Sequence, residues 1–249
     1  MAKQSGINWT DYSWGPWIGC TPVSAGCDNC YAKAFREGRL KKDFSVLTRT
    51  SEANWRKPLG KTFEPGSSVF VCPQSDFFHH DADGWRDEAW GVIAQRSDLN
   101  WLLCTKRPER IKGPFVVNGC DIGGHLWLGV TVENGDRIDR IRPLLKQKKW
   151  AGGVFVSIEP MLSVIDIPPL LLEPLNGVIV GGETGPNARP IQADWVRSIR
   201  DQCAIARVPF FLKSFGDNAW DNGERIAKRS RFLDGVEHNE LPWRVIGSV

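Results

Sequence analysis

The 249-residue chain contains no apolar run approaching the roughly 20 residues needed to span a bilayer, and its first residues, Met1 to Gly6, lack the hydrophobic stretch of a secretion signal. These absences argue against a membrane partner and predict a cytoplasmic protein. It also lacks low-complexity segments, and no internal repeat is stronger than a recurring strand-and-helix rhythm. Charge of either sign is barely in excess: a formal net charge of +3 permits a polyanionic partner without demanding one. Hydrophobic residues at 41% and charged residues at 24% exclude the disordered and membrane classes. Seven cysteines is an odd count in a chain without a secretion signal, so metal or cluster ligation is a better reading than a disulfide framework.

Six short apolar runs each end in a polar or turn-forming cluster, the pattern of buried parallel strands. They are Val69 to Cys72, Trp101 to Cys104, Leu126 to Val130, Val154 to Val156, Val178 to Val180 and Phe210 to Leu212. Helical faces lie between them: Trp85, Ala89, Val92 and Ile93; Ile138, Ile141, Leu144 and Leu145; Trp195, Ile199, Cys203 and Ala206. Pro168, Pro169 and Pro174 rule out a long helix between Ser163 and Asn176. A further strand near Trp17-Ile18-Gly19 brings the total to six or seven β/α units. The expected fold is therefore α/β, a partial (β/α)6-7 barrel formed as one domain over residues 1–249. Residues 217–249 are read as an extension covering the barrel, and a doubly wound open sheet is the alternative. The 12 tryptophans, among them Trp14, Trp17, Trp55 and Trp220, suit either a large core or a platform for stacking a nucleobase.

Cys20, Cys27 and Cys30 stand in the spacing C-x6-C-x2-C, and Pro22, Gly26 and Asp28-Asn29 make the intervening chain a tight loop in which three sulfurs can converge. Close thiolates repel one another unless a metal neutralises them, and zinc and iron–sulfur clusters are the two common outcomes. Structural zinc wants four protein ligands, whereas this loop supplies three and has no nearby histidine. His79-His80 beside Asp76 invites a separate metal reading, although a loop histidine pair is more often merely exposed. Cys72, Cys104, Cys120 and Cys203 read as buried small hydrophobes.

The run Trp14-Gly15-Pro16-Trp17-Ile18-Gly19-Cys20, continued by Ser24-Ala25-Gly26-Cys27-Asp28-Asn29-Cys30-Tyr31-Ala32, resembles the three-cysteine signature of a phage and bacterial family of radical S-adenosylmethionine proteins. Further matches are Gln74-Ser75-Asp76-Phe77-Phe78-His79, Cys104-Thr105-Lys106-Arg107-Pro108-Glu109-Arg110, Gly129-Val130-Thr131-Val132-Glu133, Ser157-Ile158-Glu159-Pro160 and Gly181-Gly182-Glu183. The resemblance implies a [4Fe-4S] cluster held by Cys20, Cys27 and Cys30 in the first loop of a partial barrel. It also implies S-adenosylmethionine on the open iron, an external electron donor such as flavodoxin, and release of a 5′-deoxyadenosyl radical. The common kind of radical enzyme uses C-x3-C-x2-C, three residues shorter than here. In that kind a Gly-Gly-Glu run follows the second strand, whereas Gly181-Gly182-Glu183 follows a late one.

Active sites of β/α barrels form at the carboxyl ends of the strands. That position selects Asp76, Thr131, Glu133, Ser157 and Glu183 as cofactor-binding candidates, and Lys106, Glu159 and Lys213 as catalytic ones, with Arg107 beside them. Two basic groupings, Lys106-Arg107-Pro108-Glu109-Arg110 and Arg137, Arg140 and Arg142, are able to meet phosphates; for the second, a solvated helix face paired with Asp136 and Asp139 is the preferred account. The basic strand end, the surplus tryptophan and the occurrence of the resembled family in phages point to a nucleobase or nucleoside substrate, within DNA in the phage case. Isomerisation of an amino-acid-modified thymidine is the expected type of reaction. A nucleic-acid-binding module with a structural zinc or cluster, and a radical enzyme acting on a peptide or small metabolite, are the alternatives.

Overall fold

The computed structural model describes residues 6–243. Seven strands form one sheet: β1 (Tyr12–Trp14), β2 (Ser68–Val71), β3 (Asn100–Thr105), β4 (Leu126–Thr131), β5 (Gly153–Ile158), β6 (Gly177–Gly181) and β7 (Phe210–Ser214). Each pairs in parallel with the next, so spatial order equals chain order. Right-handed crossovers that always step the same way put the crossover helices on one face, and the twisted sheet curls away from them into a half-barrel. A doubly wound sheet needs a reversal of strand order, and among the described residues there is none. The first strand is Tyr12–Trp14; Trp17–Ile18 forms a separate antiparallel pair with Thr48–Arg49, which corrects the expectation of a sheet strand there.

The predicted helical faces become α1 (Asp83–Ala94), α2 (Ile141–Leu145) and α4 (Ala193–Ala206), with the short α3 (Pro169–Leu172) in the proline-rich crossover. α1 buries Ala89, Val92 and Ile93, and α4 buries Val196, Ile199 and Cys203, the 3.6-residue period read from the sequence. The second helix is shorter than its periodicity suggests. Gly135–Arg140 is a 3-10 turn, and Pro143 sits in the first turn of α2, where its missing N–H costs no helical bond. No helix among the described residues is long and apolar enough to cross a membrane.

Alternation along the strands divides the core. Val69, Leu103, Leu128, Val156, Val180 and Leu212 face the helices. Leu102, Trp127, Phe155, Ile179 and Phe211 face the barrel interior, where Trp9, Leu241 and Trp243 close the end away from the loops. The interior rings lie over glycines of neighbouring strands: a Cβ on Gly153 would meet the Trp127 ring at 2.2 Å, and one on Gly129 would meet Phe155 at 2.4 Å. Trp14, Trp17 and Trp55 are fully buried, so they are core residues and no platform for a base. Trp220 is half-buried and hydrogen-bonded to Asn218.

The segment after Asp217 does two things. Its residues 238–240 run antiparallel along β7, with Leu212 N donating to His238 O at 3.0 Å and a bridge between Phe211 and Asn239, which covers an otherwise open sheet edge. Leu241 and Trp243 then enter the barrel floor. Residues 244–249 lie outside the described residues, as do Met1 to Ser5.

Candidate functional site

The cysteine loop begins at Gly19, directly after the Trp17–Ile18 pair; its φ of +115° and close approach to Val46 O, 2.7 Å from where a Cβ would stand, admit only glycine. Cys20 N donates to Phe44 O, Ala25–Cys27 makes a 3-10 turn, and Cys30 precedes the short helical stretch Tyr31–Lys33. All three cysteines are partly exposed. Among the described residues the loop is held at three places by three ion pairs, each built on a buried carboxylate just beyond β2, β4 or β6.

Asp76 follows β2. Its carboxylate accepts from Thr105 Oγ1 at 2.7 and 2.8 Å, from the backbone of Phe78 and Lys106, and from Arg107 at 3.0 Å. Arg107 uses its other nitrogen on Thr21 O and Oγ1, and its first also lies 3.7 Å from Cys20 Sγ. Glu133 follows β4, is fully buried, and accepts from Arg140 at 2.8 Å, while Arg140 also donates to Ser24 Oγ. Gly26 packs against the same carboxyl, with space for a Cβ only 3.2 Å from Glu133 Cδ. Glu183 follows β6 and accepts from the Arg189 backbone and side chain and from Asn29 Nδ2 at 2.9 Å; Arg189 continues to Ala25 O and Asp28.

The electrostatics follow from these contacts. Burial works to raise the carboxyls of Glu133 and Glu183. Hydrogen bonds from Ser24 and Arg140 to the first, and from Arg189 and Asn29 to the second, outweigh it and hold both below the usual carboxylate range. Burial, reinforced by Asp76 and opposed by Arg107, pushes the Cys20 thiol up to about 11. A metal that binds there must therefore displace a proton.

Of the eight non-cysteine residues predicted for the site, Asp76, Glu133 and Glu183 are thus engaged with protein groups as supports of the cysteine loop. The other five lie at the mouth. Lys213 Nζ is 2.6 Å from Glu159 Oε1, Ser157 Oγ is 3.4 Å from Glu159 Oε2, and Thr131 Oγ1 is 3.6 Å from Cys104 Sγ on the inner face. Lys106 forms no ion pair among the described residues. Gly181 leaves room for Glu159, since a Cβ there would stand 2.7 Å from Oε1. Asn8 donates to Lys213 O, and its Oδ1 is buried and has no hydrogen-bond partner among the described residues.

Several expectations need revision. His79 is fully buried, not exposed, and spends Nε2 on Thr21 and Nδ1 on the Asp81 N–H; burial, with Arg107 and His80, holds it below the usual imidazole range. His79, His80 and Asp81 do lie close enough to be considered as metal ligands, but both nitrogens of the first are committed. Cys104 is partly exposed and Cys120 is exposed, so of the four remaining cysteines only Cys72 and Cys203 are buried. Arg140 pairs with Glu133 and not with Asp136 or Asp139. Arg189 and Asn8 carry no signal in the sequence, and Asn29 is marked there only as a turn residue, because each holds a chain segment at least 150 residues away.

The match to a family model described as "Protein of unknown function (DUF5131)" spans residues 4–242. The chain belongs to that family. The match takes in the cysteine loop, all seven strands and the edge-covering part of the tail, so loop, supports and half-barrel fall within a single family unit. No curated protein and no solved structure matches the chain.

Proposed function

We propose that the chain is a radical S-adenosylmethionine enzyme whose Cys20, Cys27 and Cys30 hold a [4Fe-4S] cluster. The observation that carries this reading is the convergence of three separate carboxylate–arginine pairs on one short loop bearing three thiols, above the open mouth of a half-barrel. Buried ion pairs are costly to assemble, and a loop that needed only to close a barrel would not require three. The donor set fits: thiols on one loop, one of them facing a guanidinium N–H, as expected around sulfur ligands whose charge must be balanced. When bound, the cluster supplies the electron, drawn from an external donor such as flavodoxin, that splits S-adenosylmethionine into a 5′-deoxyadenosyl radical.

The chain's own groups bind and orient. The Lys213–Glu159 pair offers a cation and an anion side by side, suited to the carboxylate and amino groups of a zwitterionic methionyl end. Thr131 and Ser157 present hydroxyls on the same inner face, and the buried Asn8 Oδ1 is an acceptor awaiting a donor. The aromatic floor of Trp9, Phe155 and Trp243 keeps water from entering below. Lys106, just beyond β3, would be the cation that serves the substrate. The substrate we infer is a nucleobase or nucleoside, with rearrangement of a modified thymidine in phage DNA as the specific case. The protein would then work in the cytoplasm of the host.

Protein purified without oxygen should be brown and release 5′-deoxyadenosine from S-adenosylmethionine on reduction, with release stimulated by modified nucleosides. Stimulation by peptides instead would assign a different substrate class. Colourless zinc protein, or iron protein indifferent to S-adenosylmethionine, would leave a nucleic-acid-binding module as the reading.

A further inference from the structure

The two basic groupings, one after β3 and one after β4, meet. They line a cleft of about 460 Å³ that takes in Lys106, Arg107 and Arg110 on one side, Arg137 and Arg140 on the other, and Val23 of the cysteine loop. Three of these cations are committed: Arg107 to Asp76, Arg140 to Glu133 and Arg110 to Asp83. Lys106 and Arg137 form no ion pair among the described residues, although Glu109 and Asp139 also line the cleft and are exposed. Of the expected solvated face paired with Asp136 and Asp139, the exposure of Asp136, Asp139 and Arg142 agrees, but the pairing does not: among the described residues no ion pair joins Arg137, Arg140 or Arg142 to either aspartate.

Two uncommitted cations, contributed by separate turns and facing one cavity, are an anion site in search of its anion. A volume of this size falls in the range of small-ligand pockets, roughly 300–1,000 Å³. A protein partner would instead need a patch of about 800 Å² on each side. We propose that this cleft binds a phosphate of the substrate, with Lys106 and Arg137 as its cationic contacts, and that it seats a nucleotide with its base toward the barrel mouth. The inference rests on the nucleotide half of the proposed function and is independent of the cluster.

The test is titration of a fluorescent single-stranded deoxyoligonucleotide with the full chain over a series of salt concentrations. Wild-type affinity should fall with salt, and Arg137→Gln should weaken binding and flatten the slope of log affinity against log salt by about 0.7. Arg142→Gln, on an exposed position of α2 outside the cleft, should change neither. Competition by a nucleoside 5′-monophosphate as potent as that by unlabelled oligonucleotide would assign the phosphate to a free nucleotide; competition by the oligonucleotide alone would assign it to a strand. Absent binding, an unaltered Arg137→Gln protein, an equal loss in Arg142→Gln, or displacement only by an acidic protein would overturn the proposal. Iron content measured on the same preparations keeps the two readings apart: protein without iron that still binds phosphate through Arg137 sinks the cluster and leaves this inference standing.

Discussion

The guanidinium of Arg107 meets Asp76, Thr21 and Cys20 at once, a geometry that needs its planar fork. Lysine would preserve the charge beside Asp76 but could not reach three partners in that arrangement. In Arg107→Lys protein we expect iron content close to wild type and a more negative cluster midpoint potential, because the sulfur loses a charge-assisted donor. An unchanged potential, measured by dye-mediated redox titration, would show that the contact is structural only. Glu133 carries a different weight. Arg140 is buried beside it, so Glu133→Ala strands a guanidinium in the interior and should cost about 3–5 kcal/mol of stability in urea unfolding. A loss below about 1 kcal/mol would mean that water reaches Arg140 in the native state.

At the scale of elements, the tail is fastened to α4 by Arg197, which bridges Asp194, Asp221 and Asp234, with Arg200 adding a second contact to Asp234. Those hydrogen bonds hold the Asp234 carboxyl down at about 2. Because the folded value lies below the ordinary one, this fastening is fully present above about pH 4 and is lost as pH falls toward 2. Limited proteolysis should therefore leave the 217–243 segment resistant at pH 5 and expose it in that acid window, while Arg197→Ala should expose it at neutral pH. The end of the same segment is held by packing. Trp243 is buried against Trp127 and Phe155, with ring centroids at 5.6 and 5.2 Å, and its Nε1 donates to Trp9 O. Trp243→Ala should cost about 3–5 kcal/mol by thermal or urea unfolding. A much smaller loss would show that the floor closes without the tail.

Over the whole molecule, the sequential order of seven parallel strands decides where the chemistry can lie, because it brings the ends of β2, β4 and β6 around one loop. Much of this was legible in the sequence. Six of the strands announced themselves as apolar runs, and position at a strand end picked out Ser157 and Glu159, which lie together at the mouth. The first strand escaped because Tyr12–Trp14 is three residues long, whereas Trp17-Ile18 nearby is the more apolar run. Carboxylates were easy to find at strand ends, but their roles were not. Arg107, Arg140 and Arg189 lie 31, 7 and 6 residues from the carboxylates they pair with, and each also grips a loop at least 86 residues away; only the curl of the sheet brings these together. The glycines opposite Phe155 and Trp127 were equally silent, since their need arises from a ring on the next strand.

The central claim is that three thiols of one loop, and no others, hold an iron–sulfur cluster. Iron and sulfide analysis of oxygen-free protein, comparing wild type with Cys27→Ala and Cys72→Ala, tests it most directly. The account predicts four irons and four sulfides in wild type, the same in Cys72→Ala because that thiol is buried outside the loop, and none in a still-folded Cys27→Ala protein. Zinc in place of iron, full iron in Cys27→Ala, or loss of iron in a folded Cys72→Ala protein would contradict it.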